Sequence, residues 1–176
     1  MRLRAKNNLC LVAVATLLTL SACISGECLD NKNSLPLAGF YTSSTDPKAI
    51  SLSGLTVYGY GAPGDDSVLL QSGVGVNSLY LPFRIDEPQT TYIFHYEQEG
   101  IDDERYNDTI TFKYEIVPYF VSAACGSIYK YKVESIEHTR HLMDSVVCTA
   151  PQNIIDNVAI ENLRVYFRVE TEEVAE

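Results

Sequence analysis

The sequence predicts an all-β protein, an antiparallel β-sandwich that is immunoglobulin-like in the broad sense. Three features carry that expectation. Beyond residue 50, eight segments of five to nine residues are rich in β-branched and aromatic side chains. Turn-forming clusters such as "GAPGDD" (61–66) and "IDEP" (85–88) separate them. Only "PQNIIDNVAIEN" (151–162) has the makeup of a helical turn or two.

In chain order the expected strands are "LTVYGYG" (55–61), "SVLLQ" (67–71), "SLYLPF" (78–83), "TTYIFHYE" (90–97), "DTITFKYEI" (108–116), "IYKYKVESI" (128–136), "DSVVC" (144–148) and "LRVYFRV" (163–169). Period-two alternation is clearest in "IYKYKV", which puts Tyr129, Tyr131 and Val133 on one face and Lys130 and Lys132 on the other. One face of such a strand packs and the other meets water. Short strands at these spacings build a sandwich.

The first residues have a different character. Arg2, Arg4 and Lys6 form a basic head, and residues 9–20 form an apolar run of twelve. A membrane span needs roughly 20 apolar residues, so this reads as a secretory signal peptide. It ends in Leu20-Ser21-Ala22-Cys23, which resembles the lipobox of bacterial lipoproteins, where cleavage occurs before a cysteine already carrying diacylglycerol. Cys23 is then the lipidated first residue of the mature chain. At roughly 0.8 kcal/mol per buried CH₂, several acyl chains hold a protein to a bilayer far more firmly than one. The expected organisation is a signal peptide (1–22), a lipidated N-terminus with a short linker (23–36) and one domain (37–176).

Cleavage removes three of the 13 Lys and Arg and none of the 23 Asp and Glu, so the net charge goes from −10 to −13. That field repels nucleic acid and anionic head groups, and no nucleic-acid partner is expected. The partner implied by the anchor is the membrane itself.

Export implies an oxidising compartment, and with Cys23 lipidated, Cys28, Cys125 and Cys148 remain for one disulfide. A hairpin turning at "TRHL" (139–142) would set Cys148 opposite about Val133, too far along the ladder from Cys125. Cys28 to Cys125 is therefore the favoured pair. It closes a loop of 97 residues, for about 4.5 kcal/mol in the chain-entropy model. It also leaves a leash from Cys23 to Cys28 of at most about 17 Å. Three reduced, buried cysteines are the alternative.

The order of "SLSGLTVYGYG", "DDSVLLQSGVGVNSLYLPF", "TYIFHYE", "DTITFKYEIVPYFVSAACG" and "EHTRHLMDSVV", behind a lipobox and an early Cys, resembles a family of uncharacterised lipoproteins from Bacteroidota, classed as a domain of unknown function. The resemblance spans most of the mature chain. It implies an outer-membrane lipoprotein whose relatives are often encoded beside a predicted outer-membrane barrel. That neighbourhood implies an accessory subunit of a barrel complex, such as the machinery that assembles outer-membrane proteins. Surface-exported lipoproteins of that phylum usually carry an acidic cluster directly after the lipidated cysteine. Here Ile24-Ser25-Gly26 precede a single Glu27, which favours the periplasmic face. Asp-Ser/Thr-aliphatic triplets resemble the phylum's O-glycosylation site and mark Ser67, Thr109 and Ser145 as acceptors. The same pattern is how a strand leaves a turn.

For chemistry the sequence offers little. His138, His141 and Asp144 hold two imidazoles and a carboxylate that a turn could gather around zinc. On a straight strand that spacing puts the histidines on opposite faces, with Arg140 between them. A polar hairpin turn is the favoured reading, and no metal or other cofactor is expected. His95 reads as a strand histidine with a local hydrogen-bond partner. Residues 97–108 gather Glu97, Glu99, Asp102, Asp103, Glu104 and Asp108 against Arg105. They lack the alternating oxygen ligands and central glycine of a calcium loop, so a solvated connection is expected.

A nucleophilic role for Cys125 beside His138 or His141 needs a thiolate that an oxidising compartment consumes. There is no Gly-x-Ser-x-Gly, phosphate loop or Cys-x-x-Cys, and no enzyme activity is expected. The 12 tyrosines suit interfaces and strand cores alike. The functional expectation is an outer-membrane-anchored, non-catalytic accessory subunit; the alternative is a surface-exposed glycan-binding lipoprotein, against which the absence of Trp speaks mildly.

Overall fold

A computed structural model describes residues 34–61, 67–123, 126–156 and 159–168, the side chains of 121 and 122 excepted. Its strands are β1 (Leu37–Thr42), β2 (Leu55–Gly59), β3 (Val68–Gly73), β4 (Ser78–Tyr80), β5 (Gln89–Tyr96), β6 (Asp108–Ser122), β7 (Gly126–His138), β8 (Met143–Cys148), β9 (Ile154–Ile155) and β10 (Glu161–Phe167). They form a four-stranded sheet, β4-β1-β10-β8, and a six-stranded sheet, β3-β2-β5-β6-β7-β9. The fold is the expected all-β sandwich. Every ladder is antiparallel except that of β1 with β10, which run parallel from Leu37 opposite Glu161 to Thr42 opposite Phe167.

The core lies between the sheets and follows period two. Tyr92, Phe94 and Tyr96 of β5 and Ile110, Phe112 and Tyr114 of β6 point inward, against Ala38 and Phe40 of β1 and Leu163, Val165 and Phe167 of β10. Phe40 bridges the layers edge-on, with ring centroids 6.5 Å from Phe94 and 5.4 Å from Phe167. Such edge-to-face pairs add to the area they bury.

Several elements depart from the sequence expectation. β1 was not foreseen, because "LAGFYT" is short and its inward residues Ala38 and Phe40 flank a glycine. The segment 78–83 pairs only as far as Tyr80; Leu81–Arg84 then leaves the four-stranded sheet and crosses to β5 in the other. The 108–116 strand continues through Pro118 to Ser122. The 151–162 stretch makes one 3₁₀ turn at Pro151–Asn153 and then β9.

The expected hairpin between 128–138 and 143–148 is overturned. β7 pairs with β6 and β9, whereas β8 pairs with β10, so the chain changes sheets at 139–142. Cys148 faces Leu163, not Val133, and the ladder argument that separated it from Cys125 no longer holds.

Three tyrosine hydroxyls hold the other crossover. Tyr92 donates to the Pro82 carbonyl, Tyr131 to that of Phe83 (3.4 Å) and Tyr114 to that of Arg84 (3.0 Å). The Phe83 ring stacks on Tyr114 at 4.4 Å with 9° between the planes. A chain leaving a sheet strands its carbonyls, and buried ones need donors. Tyrosines on three neighbouring strands supply three in a row.

Burial raises the hydroxyl pKa of Tyr92, Tyr96, Tyr114 and Tyr131 above the ordinary 10.0, with the buried Asp108 carboxylate adding to it at Tyr96. These groups ionise more readily unfolded than folded. Their contribution to stability is therefore present below pH 10.0 and is lost as pH rises beyond it. Phenolate absorbance during alkaline titration is expected to show a block of tyrosines ionising only together with loss of the β-sheet circular dichroism signal.

Candidate functional site

The sandwich has two unlike ends. At one, the 139–142 crossover joins β7 to β8; at the other, the β6–β7 ribbon projects and the chain enters at Ser34. The crossover end gathers the carboxylates and histidines that the sequence offers for chemistry, and the structure gives most of them structural partners.

Asp108 was expected in a solvated acidic connection; it is fully buried at the first position of β6. Its position continues the inward row of Ile110, Phe112 and Tyr114. One carboxylate oxygen accepts from the Thr139 hydroxyl and the His141 N–H, both at 2.8 Å. The other accepts from the Leu142 and Met143 N–H groups at 2.8 Å and the Tyr96 hydroxyl at 3.0 Å. Thr139 is pinned further, its hydroxyl accepting from the Thr109 N–H at 2.8 Å. A charge taken from water is tolerated where its lone pairs are filled, and here five donors fill them.

The 139–142 turn wraps backbone N–H groups around Asp108. His138 Nδ1 lies 2.9 Å from the Thr139 carbonyl, and His141 is exposed. Asp144 accepts from Ser43 at 2.7 Å and Arg168 at 3.2 Å, which hold its carboxyl below the usual range. Among the described residues no three His, Cys, Asp or Glu side chains are grouped to hold an ion, so His138, His141 and Asp144 do not form the set entertained above.

His95 has the local partners expected of it, with Nδ1 2.8 Å from Asn107 and Nε2 3.2 Å from Asp102. In the acidic connection Asp103 caps a 3₁₀ turn at Glu104–Tyr106 by accepting from the Arg105 N–H, and the Arg105 guanidinium holds its carboxyl down at about 2. Glu97 is engaged by Thr56 and Ser72.

The proposed glycan acceptors sit in ordinary strand settings. Ser67 precedes β3, Thr109 faces Ile93 in the ladder of β5 and β6, and Ser145 faces Tyr166 in that of β8 and β10. All three are partly covered, and the aspartates before Thr109 and Ser145 are the structural Asp108 and Asp144. Cys23, Cys28 and Cys125 lie outside the described residues. Burial pushes the Cys148 thiol up, which suits an inert side chain.

The ribbon end is the candidate site. β6 pairs with β5 only from Asp108 to Lys113, and β7 pairs with β9 only at Tyr131 and Lys132. From Val117 to Ser122 and from Gly126 to Lys130 the two strands therefore have only each other. This stretch leaves Tyr119, Phe120 and Tyr129 exposed, and Ile85 beside it is exposed too. Lys130 lies over the Tyr119 ring at 4.2 Å and reaches Asp156 at 3.2 Å. Ser34 and Leu35 line a cleft of about 350 Å³ together with Phe83, Ile85, Ser127, Ile128, Tyr129 and Tyr131. Ser34 is buried there, its hydroxyl unpaired. Pro36 accepts from the Leu81 N–H at 2.8 Å, so the first described residues lie against the crossover beside the ribbon.

The sequence profile of a family of unknown function, DUF6452, matches residues 54–167, from β2 through β10. The chain belongs to this family. The match takes in the crossover, the ribbon and Asp108, and its description assigns no activity. No curated protein and no solved structure matches the chain.

Asp108→Asn puts an amide N–H where the carboxylate accepts two or three hydrogen bonds. We expect a loss of about 3 kcal/mol, against less than about 1 kcal/mol for Asp144→Asn on the surface. Urea unfolding followed by circular dichroism measures both.

Proposed function

We propose that the chain is a lipid-anchored, non-catalytic accessory subunit of an outer-membrane barrel complex, held at the periplasmic face. The observation that carries this reading is the position of Ser34. Ten residues separate it from Cys23, the cysteine of the lipobox-like sequence, and it packs at the ribbon end of the sandwich. An anchor at Cys23 would hold that end within reach of the bilayer. The ribbon and the strand edges beside it are then held where the rim of a barrel protein is found.

A non-catalytic role is supported by what the titratable side chains do. Asp108 holds a crossover, Asp144 pairs with Arg168, and His95 sits between Asn107 and Asp102. Each is occupied in building the fold. A disulfide from Cys28 to Cys125 would tighten the tether. Ser34, the first described residue after Cys28, and Ser127, two residues after Cys125, line the same cleft.

A C-terminally tagged copy extracted in mild detergent is expected to bring down a barrel protein in stoichiometric amount, identified by mass spectrometry. Protease added to intact cells is expected to spare the domain until the outer membrane is opened. Recovery of the lipoprotein alone, with the domain cleaved on intact cells, would overturn this reading in favour of a surface glycan-binding module.

A further inference from the structure

We propose that the tip of the β6–β7 ribbon, with Phe120, Tyr119 and Tyr129 and the neighbouring Ile85, seats in the interfacial layer of the lipid bilayer. This rests on the anchored reading above and says which surface meets the membrane.

Four observations lead to it. The first is exposure: the side chains of Phe120, Ile85, Tyr119 and Tyr129 are 64%, 60%, 49% and 42% accessible, all at the end where the chain enters. A monomer in water gains nothing from gathering them there. The second is arrangement. Pro118 faces Tyr129 across the ladder and continues the inward row of Ile110, Phe112 and Tyr114, as does Phe120; Tyr119 faces Ile128 on the other side. Aromatics therefore stand on both faces of a two-stranded ribbon. A single flat protein surface covers one face, whereas a lipid layer surrounds the whole tip.

The third observation is charge. The chain has 23 Asp and Glu, yet residues 116–133 contain none and carry Lys130 and Lys132. Elsewhere the negative field opposes contact with anionic head groups; this stretch is spared. Of the residues around it, Asp156 is paired with Lys130, Glu115 with Lys132 at 3.8 Å, and Asp86 and Glu87 after Ile85 are both held by Arg84 at 3.0 Å. Tyrosine with a nearby lysine is the side-chain chemistry that favours the membrane–water boundary. The fourth is reach. The chain from Cys23 to Ser34 spans at most about 40 Å, so a lipidated Cys23 leaves the tip within reach of the bilayer. The free edge of β6 here is ill suited to adding a partner strand, because Pro118 in its middle has no N–H to give.

The chain has no tryptophan, so one introduced indole reports alone. The full-length, cell-processed protein is made as Phe120→Trp and, as the control at the crossover end, as Val74→Trp, which replaces an exposed side chain next to Gly73. Each is reconstituted into phosphatidylethanolamine–phosphatidylglycerol vesicles with brominated acyl chains. The tip indole is expected to emit further to the blue, to be quenched by the bromines and to be shielded from iodide; the control is expected to show the reverse. Tyr129→Trp, expected to behave as Phe120→Trp, guards against a local defect in one variant. If the tip indoles stay iodide-accessible and bromine-insensitive like the control, the proposal is overturned and the ribbon's aromatics are left for a protein partner. The intact mass of the same preparation shows whether Cys23 carries its acyl groups. An unmodified Cys23 overturns the anchor, while quenching on added vesicles still decides the tip.

Discussion

The buried carboxylate of Asp108 is the interaction on which the two-sheet arrangement depends. A chain that leaves one sheet for the other must abandon its ladder, and the N–H groups it frees at the end of a sandwich are covered by protein, not water. At the 139–142 crossover those groups belong to His141, Leu142 and Met143, and all three point at Asp108. The same carboxylate takes the hydroxyls of Thr139 and Tyr96, so one side chain ties β5, β6 and the crossover together. An apolar residue at the first inward position of β6 would fill the volume but leave five donors without acceptors.

The opposite end solves the mirror problem with the opposite chemistry. Where Leu81–Arg84 passes between sheets, carbonyls are freed, and the donors are the hydroxyls of Tyr92, Tyr114 and Tyr131. Those three residues lie on adjacent strands, β5, β6 and β7; the rings of Tyr114 and Tyr131 pack with Phe83 and that of Tyr92 with Phe112, while the three hydroxyls reach the carbonyls of Pro82, Phe83 and Arg84. Much of the tyrosine content is thus explained as core that carries its own hydrogen-bond donors. Six exposed aromatics among the described residues belong to neither device, Tyr60, Tyr80 and Tyr106 singly and Tyr119, Phe120 and Tyr129 together on the ribbon.

This division gives the molecule a direction. The crossover end is stiffened by a filled carboxylate, and its titratable groups are occupied with one another. The ribbon end has strands that outrun their neighbours, exposed aromatics and the point where the N-terminal chain joins the domain. The tether proposed at Cys23 would act on that end, so the proposed anchorage and the exposed aromatics fall on one region of the surface.

The fold class was legible because period-two alternation and β-rich composition are local properties. Tyr92-Phe94-Tyr96, Ile110-Phe112-Tyr114 and Leu163-Val165-Phe167 state their inward faces within a few residues. Partnership between strands is not local, and there the reading of 128–148 as one hairpin failed. Nothing in "HTRHLM" announces a change of sheet; the acceptor that permits it sits some thirty residues earlier, in Asp108. The one available signal was an acid in register with Ile110, Phe112 and Tyr114, and it was masked by the acidic run before it. Likewise the absence of Asp and Glu from 116–133 is written in the sequence, but only the end of the β5 ladder at Lys113 shows that Val117–Ser122 runs on without a β5 partner. The sequence by itself determined which residues alternate and where the charge lies. Tertiary structure decided which strands pair and which side chains are spent on stranded backbone groups, because those depend on contacts between segments far apart in the chain.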